Sequence, residues 1–241
     1  MDRVDIDPRV EAVRRMTSGV GRVVCMASGK GGVGKSVLSS VSALLLSSLG
    51  RRVGLLDLDF YGPSVHTVLG TGVEFREDRG ILPAEVHGVK LMSILPFAGE
   101  NPVLWRGQDV SQAILELLAV TRWGELDFLI VDMPPGTGEE ILEIRRFLPR
   151  AEFIAVVTPS KLAVGTVGRL VGALSELGAN FLGFVENMSV DPKGPPNLAG
   201  ARFLGRVRFD PGLEEAIGKP DVLLRSLVAE DLRKIWSSLL L

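Results

Sequence analysis

The sequence predicts a single doubly wound α/β domain with a mainly parallel sheet, and three observations carry that expectation. Short runs rich in β-branched residues recur at 22–28, 51–59, 126–133, 152–159 and 180–187, apolar almost throughout, as strands covered on both faces are. Longer stretches with helical spacing of apolar residues follow several of them, at 35–49, 109–122, 139–148 and 162–177. A glycine-rich loop joins the first strand to the first helix, at the end of the sheet where such folds bind ligands.

Composition agrees with one domain. The 241 residues are 46% hydrophobic and 23% charged, enough for a large core and too apolar for a disordered chain. No linker interrupts them, so the reading is an N-terminal helical extension over 1–20 and one domain over 21–241. The net charge of −2 offers no basic field, so nucleic acid is not an expected partner and a membrane surface is disfavoured. The single cysteine, Cys25, forbids an intramolecular disulfide and leaves a poor set of soft metal ligands beside His66 and His87. It stands inside an apolar strand, where a free thiol acts as a small core side chain. The N-terminal MDRVDIDPRVEAVRRM lacks an apolar signal region, and no apolar run approaches the roughly 18 residues of a membrane span. A cytoplasmic location is the expectation.

The remaining elements follow in order. Asp109 and Gln112 have the spacing of a capping box at the start of the second long helix. Residues 79–95 read as a small β-hairpin insertion turning at His87-Gly88. The segment 187–201 is a loop rich in Pro, Gly and Asn. Leu224, Val228, Leu232, Ile235 and Leu239 form a helical stripe near the end of the chain, expected to pack on the sheet. The competing reading makes that helix an amphipathic membrane foot with Trp236 at the interface. Arg202, Arg206 and Arg208 read as edge-strand charges.

The chemistry begins at GKGGVGKS, residues 29–36. Gly29, Gly34, Lys35 and Ser36 meet the pattern G-x-x-x-x-G-K-[ST], after a strand and opening a helix. Glycines let backbone N–H groups curl around phosphate oxygens, and the helix N-terminus favours negative charge. The nucleotide-binding set is therefore Gly29, Lys30, Gly31, Gly32, Val33, Gly34, Lys35, Ser36 and Val37. Lys35 would neutralise the β- and γ-phosphates of ATP, and the Ser36 hydroxyl would ligate Mg²⁺. Asp132, ending the apolar strand LDFLIVD, stands where a carboxylate would hold that ion directly or through water. Gly136 is placed for its N–H to sense the γ-phosphate, while Thr137 and Glu140 could cap the helix that follows. Asp57 and Asp59 end another buried strand and, by alternation, share a face toward the crevice. One of them would support the magnesium shell and the other would orient the attacking water.

Lys30, five positions before Lys35, has no role in a one-lysine loop. GKGGVGKS resembles the deviant Walker A motif of the ParA/MinD/nitrogenase-iron-protein class of P-loop ATPases. In that class the extra lysine reaches across a face-to-face homodimer to the phosphates held by the other subunit. Within the class, VGLLDLDFYGPSVH (53–66), GVKLMSI (88–94), PVLWRGQ (102–108), WGELDFLIVDMPPGTGE (123–139) and GFVENMS (183–189) are similar to Mrp-type iron–sulfur cluster carrier ATPases, with LGRVRFDP (204–211) a looser match. The resemblance implies catalytic roles for Lys30, Lys35 and Asp59, with Asp59 orienting the water. It implies Ser36, Asp57 and Asp132 at the Mg²⁺, Asn187 on the adenine edge, and 206–210 lining the base, where Arg208 replaces the usual proline. It implies a homodimer with ATP, and an iron–sulfur assembly partner or apo-protein client.

The carriers follow ENMS with a C-x-x-C pair that ligates a bridging cluster in the dimer. Here the chain runs ENMSVDPKGPPN, without cysteine, so those ligands do not carry over. Two alternatives stand beside an assembly ATPase: a MinD/ParA-like positioning ATPase acting on membrane or DNA, and a small-molecule ligase or kinase on the same scaffold.

Overall fold

A computed structural model describes residues 7–60, 62–95, 107–136, 139–159, 161–190 and 200–240. The main sheet is built from β1 (Val20–Ser28), β2 (Val53–Asp57), β5 (Ala84–Val86), β6 (Val89–Ser93), β7 (Leu126–Pro135), β8 (Glu152–Val157), β9 (Asn180–Ser189) and β10 (Phe203–Arg208). Between β2 and β5, two short strands, β3 (Arg76–Glu77) and β4 (Ile81–Leu82), pair with each other, and Ile81 adds an isolated bridge to Thr121. The eight-stranded order is β10-β9-β8-β1-β7-β2-β6-β5. Every neighbouring pair in it is parallel except β5–β6.

The apolar runs lack alternation because both faces are covered. Along β1, Val23, Cys25 and Ala27 face one core while Val24 and Met26 face the other, the two-residue period of a strand. The first core lies beneath α1 (Pro8–Met16), α4 (Gly107–Val120), α5 (Glu139–Phe147) and α6 (Lys161–Glu176), with Val13, Ile114, Leu118, Ile144 and Leu174 fully buried. The second lies beneath α2 (Lys35–Ser48), α3 (Val65–Leu69) and α9 (Leu227–Leu240). The N-terminal extension is thus joined to the domain through Val13, with Arg9 donating to Gln112 of α4 at 2.6 Å.

The hairpin turns where the sequence placed it. His87 (φ 50°) and Gly88 (φ 78°) both take left-handed backbone, the two-residue turn whose twist matches its strands. The stretch just before it is different: because β3 and β4 form their own two-stranded ladder, 79–82 belongs to a second, smaller hairpin. Asp109 stands inside its helix and not ahead of it, since α4 already runs from Gly107, and the Gln112 Oε1 is taken by Arg9. Thr137 and most of the 187–201 loop, at 191–199, lie outside the described residues.

The end of the chain folds inward. Trp236 is buried, its indole N–H donates to Ser42 Oγ at 2.9 Å, and its ring meets Phe128 edge-on. That geometry overturns the membrane foot: an interfacial tryptophan needs a wet edge, and this one is sealed between α2 and the sheet. The helical stripe begins at Val228, with Leu224 on a preceding short turn that follows α7 (Leu213–Ala216) and α8 (Pro220–Leu223). No helix among the described residues is long and apolar enough to cross a membrane. Arg206 and Arg208 sit on β10 at the sheet edge, paired with Glu186 and with Asp231.

Candidate functional site

The site is assembled at the C-terminal ends of β1, β2 and β7. Register places Asp57 directly beside Asp132, so two carboxylates from neighbouring strands meet in the sheet. The loop after β1 arches over them and enters α2 through Gly34, whose φ of 81° suits glycine. A side chain there would also strike the Asn187 amide, since a Cβ would lie 2.4 Å from its Nδ2.

Asp132 is the centre of the constellation and is fully buried. Its Oδ1 accepts from Lys35 Nζ at 2.9 Å and from Ser39 Oγ at 2.8 Å, and its Oδ2 accepts from Ser36 Oγ at 2.6 Å. Of the predicted trio, Lys35 and Ser36 therefore both meet Asp132. Sequence reasoning missed Ser39, although its position one helical turn after Lys35 places it on the same face.

The two aspartates do not share a strand face as alternation predicted. The ladder ends at Asp57; Leu58 N–H still reaches Asp132 O, but Asp59 N–H turns back to Asp57 Oδ1 at 3.0 Å. Asp59 thus leaves the sheet, and its carboxylate comes within 4.0 Å of Lys35 Nζ while Oδ1 accepts from Gly62 N–H. Asp57 stays inside: its Oδ2 is buried with no hydrogen-bond partner among the described residues. Burial first, and the neighbouring Asp132 charge second, push the Asp57 carboxyl up to about 7. An orphaned carboxylate oxygen beside a Ser–Asp pair suits the water shell of a divalent cation, so Ser36, Asp132 and Asp57 fit Mg²⁺ chemically.

Gly31 to Val37, with Lys30, wrap a cavity of about 310 Å³, closed on its far side by Asp59, Ser64 and Pro135. Lys30 is exposed on its rim and makes no ion pair among the described residues. Two roomier clefts, of about 820 and 520 Å³, lie beside the hairpin at Lys90 and at the opposite end of the sheet near Arg52. Neither touches this constellation, and the chemistry sits in the smallest of the three.

Three predicted residues have other partners here. Gly136 N–H donates to Ser28 O at 2.9 Å and so closes the β1–β7 ladder instead of facing the cavity. Asn187 is buried against the phosphate loop, its amide donating to Val33 O at 2.8 Å. Arg208 holds both oxygens of Asp231 through its guanidinium, and Glu230 lies at 2.9 Å, so its charge is committed to α9. Cys25 is fully buried in the first core, where burial pushes its thiol far above the ordinary range. No cluster of three or more His, Cys, Asp or Glu suited to a metal exists among the described residues.

Comparison with known proteins places this geometry. An iron–sulfur cluster carrier protein of Aquifex aeolicus is 34% identical over 94% of this chain and 68% of its own length. One from Pseudomonas fragi is 42% identical over 71% of this chain, which spans 61% of that relative. Among solved structures, a nucleotide-binding protein from Archaeoglobus fulgidus in complex with ADP is 27% identical, with a TM-score of 0.71 over 89% of this chain and 92% of that one. The MinD cell division protein of Aquifex aeolicus, at 19% identity and TM-score 0.68 over 91% and 97% of the two chains, shares the fold. The family model for ParA-type NUBPL iron-transfer P-loop NTPases matches residues 19–193, and the chain belongs to that family.

Proposed function

We propose that this chain is a Mg²⁺-dependent ATPase that works as an ATP-gated homodimer in iron–sulfur cluster assembly. The observation that carries the reading is the Lys35–Asp132–Ser36 contact beneath the glycine loop. It supplies one cation for phosphate, and a hydroxyl and a carboxylate placed to share a divalent ion. Bound Mg²⁺ would neutralise charge on the β- and γ-phosphate oxygens. Lys35 would then exchange Asp132 for phosphate, and Asp59, outside the sheet and facing the cavity, would hold the attacking water. Lys30 of the partner subunit would complete the charge around the γ-phosphate, tying hydrolysis to dimerisation. Asn187, already anchored by Val33, would read the base through its Oδ1; Arg208 would contribute backbone, its guanidinium being occupied.

Asp59→Ala separates binding from chemistry. ATP affinity should persist, hydrolysis should fall about 10²–10⁴-fold, and the ATP-bound dimer should be long-lived. Single-turnover rates and light scattering measure both effects. Unchanged turnover would move the water-orienting role to Asp57.

The cluster itself is cargo in this reading, and the residues present do not fit direct carriage. Four thiolates usually hold such a cluster, while this chain has one cysteine, buried in the core. The role proposed is energetic: the ATP cycle drives a partner that supplies the ligands. Anaerobic incubation with iron and sulfide should leave both the wild type and Cys25→Ala without stoichiometric iron. Iron in the wild type and none in the variant would restore direct carriage.

A further inference from the structure

Ser39 lies one turn into α2, fully buried, and does not line the phosphate-loop cavity. Its hydroxyl is within 3.0 Å of Lys35 O and 2.8 Å of Asp132 Oδ1. A serine inside a helix ordinarily bonds back to the carbonyl four residues earlier, and on that account Ser39 would be a local packing feature. The second acceptor changes the argument. A hydroxyl has one proton, the Lys35 carbonyl already has its helical N–H partner, and a carboxylate is the stronger acceptor. The proton therefore belongs to Asp132.

The three donors to Asp132 have different fates when nucleotide arrives. Lys35 is needed by phosphate and must leave the carboxylate, whereas Ser36 would meet the metal through its oxygen with its O–H still on Asp132 Oδ2. Ser39 is buried beneath them, away from the cavity in which both ligands would sit. We infer that Ser39 is the positioning residue for the metal-facing carboxylate, holding Asp132 Oδ1 so that Oδ2 presents to the cation after Lys35 has moved away to phosphate. The inference rests on the Mg²⁺-dependent nucleotide reading above. It assigns Ser39 no contact with substrate; it acts through Asp132, as outer partners of metal ligands do elsewhere, where their loss typically weakens metal binding about 10–100-fold.

The test measures nucleotide binding rather than turnover. Fluorescent ATP is titrated into the full chain at fixed low concentration, first in EDTA and then with rising Mg²⁺. Ser39→Ala should leave EDTA binding as in the wild type, because Lys35 remains, and should raise the Mg²⁺ needed for half-maximal tight binding by about tenfold or more. Ser39→Thr, which retains the hydroxyl, should return it toward the wild-type value. Ser40→Ala is the structural comparison: Ser40 is equally buried on the same helix and its hydroxyl has no hydrogen-bond partner among the described residues, so its loss should leave the Mg²⁺ dependence unchanged. Alanine is a better helix former than serine and Asp132 keeps two donors in the ligand-free state, so Ser39→Ala should fold. Thermal melts check this, and Ser39→Cys, of similar volume but a weak donor, gives the same reading if it does not. An unchanged Mg²⁺ midpoint in Ser39→Ala overturns the inference alone. A wild type that binds no nucleotide, or binds it without regard to Mg²⁺, overturns the ATPase reading first and the inference with it.

Discussion

Lys35→Ala is expected to abolish measurable nucleotide binding. Lys35 is almost wholly buried and its ion-pair partners among the described residues are Asp132 and Asp59, so one interior cation stands against a group of carboxylates. A triphosphate brings more negative charge to the same place, beside Asp57 and Asp132, and Lys35 is the buried lysine that meets it. Each charged hydrogen bond lost costs about 1.5–3 kcal/mol, and in the proposed complex Lys35 serves two phosphates. Affinity should therefore fall at least about a hundredfold, which equilibrium titration with fluorescent ATP and Mg²⁺ would read directly. The ligand-free variant should remain folded, since Ser36 and Ser39 still donate to Asp132. Near-native affinity in a folded Lys35→Ala protein would mean that the glycine loop binds phosphate by backbone alone, and the assignment of this lysine would be withdrawn.

Lys30→Ala should behave in the opposite manner. Lys30 is exposed at the rim and holds no ion-pair partner among the described residues, so its removal leaves the fold and the intrachain phosphate contacts intact. Nucleotide affinity should change by less than about tenfold. Hydrolysis should fall by about 10³-fold or more, the order of effect of a cation supplied in trans to a transferring phosphoryl group. ATP-driven dimerisation should disappear in the same variant. Size-exclusion chromatography with light scattering, run with a non-hydrolysable analogue, and steady-state phosphate release measure the two losses. A variant that stays monomeric yet hydrolyses ATP at the wild-type rate would end the cross-subunit account.

Both lysines are legible in the amino-acid sequence. They lie in one contiguous stretch whose glycine spacing has a mechanical reason, and apolar periodicity signals the strand before it and the helix after it. The carboxylate Asp132 is legible for the same cause, although β7 runs on past it to Pro135, as is the turn at His87-Gly88. Asp57 and Asp59 are legible as a pair but not as individuals. Strand alternation places them on one face, whereas the ladder ends at Asp57 and its own carboxylate turns Asp59 out of the sheet. The capping box at Asp109 fails because the spacing of two residues does not say where the helix begins.

The class of fold, the phosphate loop, the second lysine and the lack of a C-x-x-C pair after ENMS are readable without coordinates, because each is written in local spacing or in composition. Which side chains compete for them is set by the packed fold. Asp132 lies beside Asp57 through the register of β2 on β7, and it receives Ser39 from a helix 93 residues earlier in the chain. Arg208 is drawn to Asp231 and away from a base by the packing of α9 on β10, and Trp236 turns inward to Ser42 across 194 residues. Such pairings depend on strand order and helix placement, which no short-range pattern encodes, and they set the burial and charge that distinguish one aspartate from the next.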